Sequence, residues 1–361
     1  AVGRPGRPHP PLVVAAAEAL CEINGLNVRP RDFVDLCGEG EWFVGTRGGC
    51  ADHAAIRFGQ SGNVLRVSFF PFQVTSTHPF PSSCALIVAH SGQSAEKTVN
   101  ARRRFNSRVA CYHMAREYLK RAAPAFAPRI EHLRDINTRT LDLSLPGLYG
   151  LLKKLPEELP LAEARDLARA HPTVDKCLEA EDIEPGDFPL RDVAVFGLSE
   201  CERSARAGSL LDEGQVASLG ELMRISHDGD RVASWTDERE QFSSGVTDAR
   251  IDRLIAGAGS SEAPLEENGV ALWQQPGGYS CSTPEIDRMV DAVLDSEGVY
   301  GAQLAGAGLG GCIMILARRN AIDSVKETLI REYYDPVEME PKMFVCRPSI
   351  GSRVYRELES T

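Results

Sequence analysis

The sequence predicts a mixed α and β protein made of two layered α+β domains. Its 361 residues exceed the ~100–200 residues of a usual domain, and 43% apolar and 25% charged residues are values of globular chains that bury a core. Helical periodicities and short apolar strand signals alternate along the chain without an internal repeat. This order favours helices layered on sheets.

Charge and cysteine usage narrow the class of protein. The 40 Lys and Arg stand against 51 Asp and Glu, a net charge of −11, so a nucleic-acid-binding surface is not expected. No apolar run reaches the ~18–20 residues of a membrane span. None of the 10 cysteines forms a Cys-x-x-Cys pair, which favours reduced thiols in a cytoplasmic protein. The N-terminus has neither an initiator Met nor a signal region, which predicts a chain that is not secreted and is incomplete.

Local signals predict the elements of the first half of the chain. Residues 12–20 are strong helix formers, and the alternation over 64–70 and the apolar run 84–89 indicate strands. Apolar residues recur at helical spacing between about 95 and 122, which predicts an amphipathic helix. Short helical pieces separated by prolines follow from 123 to 190.

The second half begins with a predicted helix and a long polar stretch. Asp212 and Gln215 resemble a capping box before a helix that ends near His227. Residues 228–278 are polar and rich in Gly and Ser, which predicts an insertion or extended connection with little core. Thr283, followed by Pro and Glu, predicts the start of another helix.

The segment Gly306-Ala307-Gly308-Leu309-Gly310-Gly311 is the most informative run on chemical grounds. Backbone N–H groups that no Cβ shields can approach phosphate oxygens closely. A dinucleotide-binding fingerprint would open a helix, whereas the strand-like residues 312–317 follow here. The segment is therefore either a phosphate-binding loop or only a glycine-rich turn between two strands.

Asp52 is the second candidate for chemistry. It follows Gly48 and Gly49 closely, so its carboxylate could face a ligand at short range. With an ordinary pKa of ~3.9 it is ionised at neutral pH and could orient or deprotonate a hydroxyl. The alternative is that Asp52 caps the helix that begins near Ala54.

Three other polar groups have weaker functional signals. His90 and Ser91 follow a buried strand, a position where ligands often bind in α/β arrangements. Residues 102–104 are arginines, which could bind phosphate or form a solvated helix face. His113 and Glu117 form an i, i+4 pair without a third ligand, so no metal site made by the protein alone is predicted.

Taken together, these segments resemble the galactokinase branch of the GHMP small-molecule kinase family. Six segments carry the resemblance, and they are residues 48–53, 88–91, 105–108, 220–227, 281–287 and 301–311. The first is similar to the family's glycine–glycine–aspartate catalytic segment, and the last to its third glycine motif. The resemblance covers most of the chain and is weakest at 123–190 and 228–278.

The resemblance implies an α+β fold and a reaction. Residues 1–150 would form an incomplete ribosomal-protein-S5-domain-2-like N-terminal domain, and residues 151–361 a ferredoxin-like C-terminal domain with an insertion at about 228–278. A sugar and ATP with Mg²⁺ would bind in one pocket, and the ATP γ-phosphoryl group would pass to the anomeric hydroxyl of galactose or a related sugar. The implied protein is cytoplasmic, a monomer or homodimer, without nucleic-acid or membrane partners.

The resemblance also implies roles for single residues. Asp52 would be the catalytic residue that orients or deprotonates the sugar hydroxyl. The sugar-binding residues would be Gly48, Gly49, His53, Phe105 and Asn106. The ATP-binding residues would be Ser91, Gly306, Gly308, Gly310 and Gly311.

Two parts of the family pattern are not found in the sequence. Nothing resembles the family's N-terminal Gly-Glu-His-Thr-Asp sugar motif, and residues 6–11 read Gly-Arg-Pro-His-Pro-Pro where its serine-rich phosphate loop belongs. Proline has no N–H to donate to a phosphate, so an incomplete ATP site is expected. The alternative function is therefore a non-catalytic sugar- or nucleotide-binding relative.

Overall fold

The computed structural model describes residues 10–42, 49–69, 71–93, 99–178, 183–184, 186–233, 245–260 and 268–355. Contacts divide the chain into two units. The first contains residues 1–82, 211–214 and 346–361, and the second contains residues 83–210 and 215–345. Both units combine helices and strands, in agreement with the predicted mixed α and β architecture.

The described part of the first unit pairs three helices with a two-stranded sheet. Its elements are α1 (Pro10–Ile23), α2 (Pro30–Trp42), α3 (Ala51–Phe58), β1 (Asn63–Ser68) and β2 (Gln73–Pro79). The strands are antiparallel, and a small core of Val14, Phe33, Val34 and Phe72 lies between sheet and helices. The predicted helix at 12–20 and the strand after residue 64 are confirmed.

Residues 351 and 352, near the C-terminal end of the described residues, bond to the helices of this unit. The Ser352 hydroxyl bonds Glu18 of α1 at 2.7 Å, and Glu18 also pairs with Arg57 of α3 at 3.1 Å. The N–H of Gly351 donates to the carbonyl of Gly59 at 2.8 Å. Residues near both ends of the unit thus share one set of polar contacts.

The second unit is built on a four-stranded sheet. Its strands are β3 (Cys84–His90), β4 (Val299–Leu304), β5 (Cys312–Arg318) and β6 (Met343–Cys346), in the order β4-β5-β3-β6. Strand β5 runs antiparallel to both β3 and β4, and Leu86 lies opposite Leu316. The strands predicted at 84–89 and 312–317 are confirmed.

Ten helices of the described residues belong mainly to this unit. They are α4 (Val99–Ala122), α5 (Thr138–Leu141), α6 (Leu145–Leu152), α7 (Leu161–Ala170), α8 (Pro172–Leu178), α9 (Leu190–Asp212), α10 (Val216–Asp230), α11 (Asp248–Ser260), α12 (Pro284–Leu294) and α13 (Ile322–Leu329). One core surrounds α4 and α6–α9, and a second joins the sheet to α12 and α13. The long helix α4 and the short helices after it confirm the predictions for those regions.

The two predicted helix starts have different outcomes. Thr283 is the N-cap of α12, and its hydroxyl accepts the N–H of Ile286 at 3.3 Å, as predicted. The predicted capping box is wrong, because Asp212 is the last residue of α9 and Gln215 is the N-cap of α10. Helix α9 continues through the buried Leu210 and Leu211 to Asp212, so Asp212 lies at the end of one helix and not at the start of the next.

The expectation of little core in residues 228–278 is wrong for their described part. Val246, Ile251, Leu254 and Val270 are each buried and belong to the core around α4. These apolar residues are spread over several short pieces, so no single piece has a strong apolar pattern. The domain boundary near residue 150 stays a prediction. No helix of the described residues is long and apolar enough to cross a membrane.

Candidate functional site

The glycine-rich segment is a loop, here called the glycine loop (residues 305–311), that joins the antiparallel strands β4 and β5. Five of its residues have positive φ angles, and they are Gly306 (80°), Gly308 (74°), Leu309 (61°), Gly310 (119°) and Gly311 (91°). Four of the five are glycines because other residues rarely adopt this conformation. The turn between two strands is confirmed, and its backbone is one that glycines make possible.

Both sides of the glycine loop are tied to other segments of the second unit. The N–H of Leu309 donates to the Cys281 carbonyl at 2.6 Å, and the N–H of Gly311 donates to the Gln93 carbonyl at 3.0 Å. The Gly311 carbonyl accepts both the N–H and the hydroxyl of Ser91, each at 2.8 Å. The structure thus brings Ser91 and the glycine motif together, as the prediction for ATP binding requires.

Four further residues of the loop differ in exposure. Gly306 and Ala307 are exposed, while Gly308 and Gly310 are buried. Within the described part of the chain, the N–H groups of these four residues donate no hydrogen bond. Consecutive N–H groups in left-handed turns form concavities that bind anions. The loop can therefore supply several donors to phosphate oxygens.

Two buried tyrosines hold the strand end that carries Ser91. The Tyr333 hydroxyl donates to the Ser91 carbonyl at 2.6 Å, and the Tyr334 hydroxyl donates to the His90 carbonyl at 2.7 Å. Burial raises the pKa of each tyrosine to about 12, so both stay protonated donors at neutral pH. Burial, with the nearby Lys342 charge, lowers the pKa of His90.

Helix α4 presents the residues predicted to contact a sugar. Phe105 is half-buried, and Asn106 is buried with a side-chain oxygen that has no hydrogen-bond partner among the described residues. The neighbouring Ser107 and Arg108 are engaged, since the Ser107 hydroxyl accepts the Glu184 N–H and the Arg108 Nε donates to the Tyr279 carbonyl, both at 2.7 Å. A buried amide oxygen without a partner is costly, and a ligand hydroxyl could satisfy it.

The aspartate segment (residues 49–53) belongs to the first unit and leads into α3. Asp52 lies in the first turn of this helix and is exposed. The alternative that Asp52 is the helix cap is wrong, because Cys50 is the N-cap residue. A carboxylate in the first turn interacts favourably with the positive end of the helix dipole.

The neighbours of Asp52 differ in accessibility. Gly49 is exposed, and a Cβ built on it would have no atom within 4 Å. His53 is 1% exposed and therefore lies under the surface, so a direct sugar contact by its ring stays a prediction. Gly48 lies outside the described residues.

Other polar clusters have structural explanations. Glu117 is buried and pairs with Arg116 at 2.7 Å, Lys120 at 3.6 Å and His171 at 3.3 Å, so its charge is compensated. Arg104 pairs with Glu184 at 3.1 Å. Among the residues that the structure describes, no group of three or more His, Cys, Asp or Glu could hold a metal ion.

A cavity of about 470 Å³ in the second unit contains none of the predicted site residues. Tyr118, Arg121 and Leu159 contribute to its lining. Its lining also includes Glu163 and Asp166, of which Asp166 is paired with Arg169 at 2.6 Å. The cavity therefore adds no candidate to the site.

The sequence analysis assigned no role to three buried polar residues. They are His227 and Asp230 near the end of α10 and Asp287 in α12. Burial raises the pKa of Asp230 to about 8, and the nearby Glu200 and Asp287 act in the same direction. Helical spacing could have indicated His227, since it lies four residues after Met223 and eight after Leu219, on the same face of α10 as these apolar residues.

Three matches to known proteins agree with this architecture. The model of the C-terminal domain of GHMP kinases matches residues 258–335, which include the glycine loop. The galactokinase of Roseiflexus sp. (strain RS-1) is 24% identical over 341 residues, covering 94% of this chain and 64% of that protein. The galactokinase of Streptococcus suis (strain 05ZYH33) is 32% identical over 161 residues, which cover 45% of this chain and 30% of that protein.

A solved structure shows the same fold. The galactokinase of Lactococcus lactis in complex with galactose has a TM-score of 0.59 and 18% identity, covering 94% of this chain and 65% of that one. This chain therefore spans just under two thirds of the length of that galactokinase and of its relative from Roseiflexus. The likeness confirms the predicted α+β fold class. In sequence the chain is similar to galactokinases, in fold it resembles a solved galactokinase, and residues 258–335 match the C-terminal model of the GHMP kinases.

Proposed function

We propose that this chain acts as an ATP-dependent, galactokinase-like sugar kinase. It would transfer the γ-phosphoryl group of ATP to the anomeric hydroxyl of galactose or a related sugar. The observation that carries the proposal is the glycine loop, whose N–H groups are held between β4 and β5 by Ser91 and Cys281. Phosphoryl transfer depends mainly on positioning and charge stabilisation, and preorganised N–H donors contribute to both.

The residues of the second unit fit the phosphate part of ATP. The N–H groups of Gly306, Gly308 and Gly310 would donate to phosphate oxygens. The Ser91 hydroxyl already donates to Gly311, so Ser91 would support the loop rather than bind the nucleotide itself. The ATP phosphates would supply ligands for Mg²⁺, which proteins usually bind with one or two carboxylates in addition, and no residue of this chain is assigned to the ion.

Asp52 would act on the sugar hydroxyl. Its exposed carboxylate can accept a hydrogen bond from a hydroxyl and orient or deprotonate it. The open space beside Gly49 admits a ligand without steric conflict. Asn106 would give its side-chain oxygen to another sugar hydroxyl, while Phe105 can offer only a ring face. Galactose is the first sugar to test because the similar solved structure is a galactose complex.

The test is ADP formation by the purified chain with ATP, Mg²⁺ and a panel of galactose, N-acetylated hexosamines and arabinose. We expect ADP formation that depends on one of these sugars and falls by a factor of roughly 10²–10⁴ in Asp52→Asn. Calorimetric ATP binding and the melting temperature should be unchanged in that variant. Equal turnover by the variant, or turnover that ignores the sugar, would contradict the proposal.

One observation favours a second candidate, a non-catalytic sugar- or nucleotide-binding protein. Helix α1 begins with Pro10 and Pro11, so its first two positions offer no N–H to a phosphate. Saturable binding of a sugar or of ATP without ADP formation for any sugar of the panel would support this candidate. The same measurements therefore separate the two functions.

A further inference from the structure

We propose that His227 and Asp230, in the last turn of α10, are positioning residues that hold the glycine loop in its ligand-binding conformation. They act on two different parts of the loop, its entry and its middle. The inference rests on the proposed function for the identity of the ligand, ATP. The hydrogen bonds that carry it are features of the second unit alone.

His227 holds the entry of the loop. Its Nδ1 accepts the backbone N–H of Leu304 at 3.3 Å, and Leu304 is the last residue of β4. Because Nδ1 is the acceptor, the proton of the neutral ring is assigned to Nε2. That nitrogen lies 3.3 Å from Oδ1 of Asp287, and the side chains of both residues are fully buried. The approach of Nε2 to Oδ1 does not have hydrogen-bond geometry, so the imidazole packs against Asp287 of α12 while its Nδ1 bonds the strand end at which the loop begins.

Asp287 is itself held in place by the backbone. Its Oδ2 accepts the N–H groups of Val232 and Ala233 at 2.9 and 2.8 Å. These residues lie just beyond the end of α10, so one carboxylate joins α12 to the chain beyond α10, and its other oxygen lies beside the imidazole of His227. A buried carboxylate that accepts two backbone N–H groups is restricted to one orientation, and the imidazole packs against this fixed group.

Asp230 holds the middle of the loop through one intervening segment. Its carbonyl accepts the N–H of Ser282 at 2.9 Å, and its carboxyl oxygen lies 3.4 Å from the N–H of Cys281. The carbonyl of Cys281 in turn accepts the N–H of Leu309 at 2.6 Å. A Cβ on Gly308 would lie only 2.0 Å from that same carbonyl oxygen, so loop and segment are in direct contact.

Helix α10, which carries His227 and Asp230, packs closely against strand β4. A Cβ on Gly220 of α10 would lie 2.1 Å from the carbonyl oxygen of Tyr300 in β4, and a Cβ on Gly301 would lie equally near the carbonyl oxygen of Gly220. Helix and strand therefore approach with no side chain between them. A glycine-rich loop loses much conformational entropy when it becomes ordered, so fixed attachment points reduce the cost of presenting its N–H groups to a ligand.

Two substitutions of His227 separate positioning from packing. In His227→Asn the amide oxygen can occupy the place of Nδ1 and still accept the Leu304 N–H. In His227→Gln the longer amide reaches the place of Nε2, so it keeps the contact with Asp287 and loses the acceptor for Leu304. If His227 acted only by packing, His227→Asn would be more damaging than His227→Gln, because the shorter Asn side chain leaves the larger cavity.

We expect His227→Gln to weaken ATP binding by about threefold to tenfold, and His227→Asn by less than about twofold, as for loss of one hydrogen bond. The KM for ATP should rise in parallel, with the KM for the sugar unchanged. His171→Gln, at a partly exposed histidine that pairs with Glu117, is the control and should leave both values unchanged. A larger loss of ATP binding in the Asn variant than in the Gln variant would overturn the proposal.

A second readout does not depend on activity. Hydrogen exchange followed by mass spectrometry should show faster exchange of residues 304–311 in His227→Gln than in His227→Asn and in the unchanged chain. If His227→Gln does not fold, Asp287→Asn keeps an oxygen for Val232 and Ala233 and should show the same local increase. Equal exchange in all variants would refute the positioning role. A chain that binds no ATP but shows the predicted exchange order would refute only the proposed function.

Discussion

The glycine loop and the aspartate segment are both glycine-containing candidate sites, but they are built in different ways. The loop is defined by its backbone, with positive φ angles and hydrogen bonds to Ser91, Gln93 and Cys281. The aspartate segment places one exposed carboxylate at the start of an eight-residue helix. Changes in the loop should therefore affect stability and nucleotide binding together, whereas changes at Asp52 should affect chemistry with little effect on stability.

The largest expected effect on stability is that of Gly308→Ala. Its Cβ would meet the Cys281 carbonyl at 2.0 Å, and the residue would keep a φ of 74°. Steric overlap and left-handed backbone strain together should lower the free energy of unfolding by about 2–4 kcal/mol. Urea denaturation measures this loss.

Gly49→Ala is the matched control, because its Cβ would have open space around it and the free energy of unfolding should change by less than about 0.5 kcal/mol. Equal losses in the two variants would remove the distinction between the two segments.

The next effect is the pH dependence of stability caused by Asp230. Its pKa is raised from 3.8 to about 8, so the folded state binds this proton more tightly than the unfolded chain. The stability from this protonated carboxyl is complete below about pH 4 and is lost as the pH rises through about 8. Between pH 5 and 9 the free energy of unfolding of the unchanged chain should fall by at least about 1–2 kcal/mol more than that of Asp230→Asn. Unfolding curves at several pH values measure the difference, and parallel pH profiles would contradict the raised pKa.

A smaller effect is expected for Ser91→Ala. The variant loses the hydroxyl bond to Gly311, while the Ser91 N–H still donates to the same carbonyl. The free energy of unfolding should fall by about 0.5–1.5 kcal/mol, the value of one hydrogen bond. ATP affinity should fall with it if the loop binds phosphate. Chemical denaturation and calorimetry measure the two quantities, and unchanged ATP affinity in a destabilised variant would show that Ser91 supports only the fold.

The smallest effect on stability is expected for Asp52→Asn. The carboxylate is exposed, and its interaction with the dipole of α3 is worth about 0.3–1 kcal/mol, so the melting temperature should change little. Loss of turnover in a variant of nearly native stability would assign Asp52 to chemistry. A large drop in the free energy of unfolding would instead show that Asp52 has a structural role.

Local signals in the sequence were most reliable where one residue and its near neighbours decide the outcome. Thr283 caps α12 because its hydroxyl reaches an N–H only three residues further on. The same type of signal failed at Asp212, since α9 continues through that residue. The core contributed by Val246 and Val270 was missed because these residues meet α9 and α6 only in the folded chain.

The sequence by itself determined the glycine-rich turn, the buried strands beside it, the resemblance to galactokinases and the acidic residue at the start of α3. These features depend on residue type, on periodicity and on the conformational freedom of glycine. Only the tertiary structure decided what holds the turn, since Ser91 lies 220 residues before Gly311 and His227 lies 77 residues before Leu304. Each of these bonds ends on a backbone atom, and backbone atoms are the same in every residue, so no pattern of side chains can reveal such a partner.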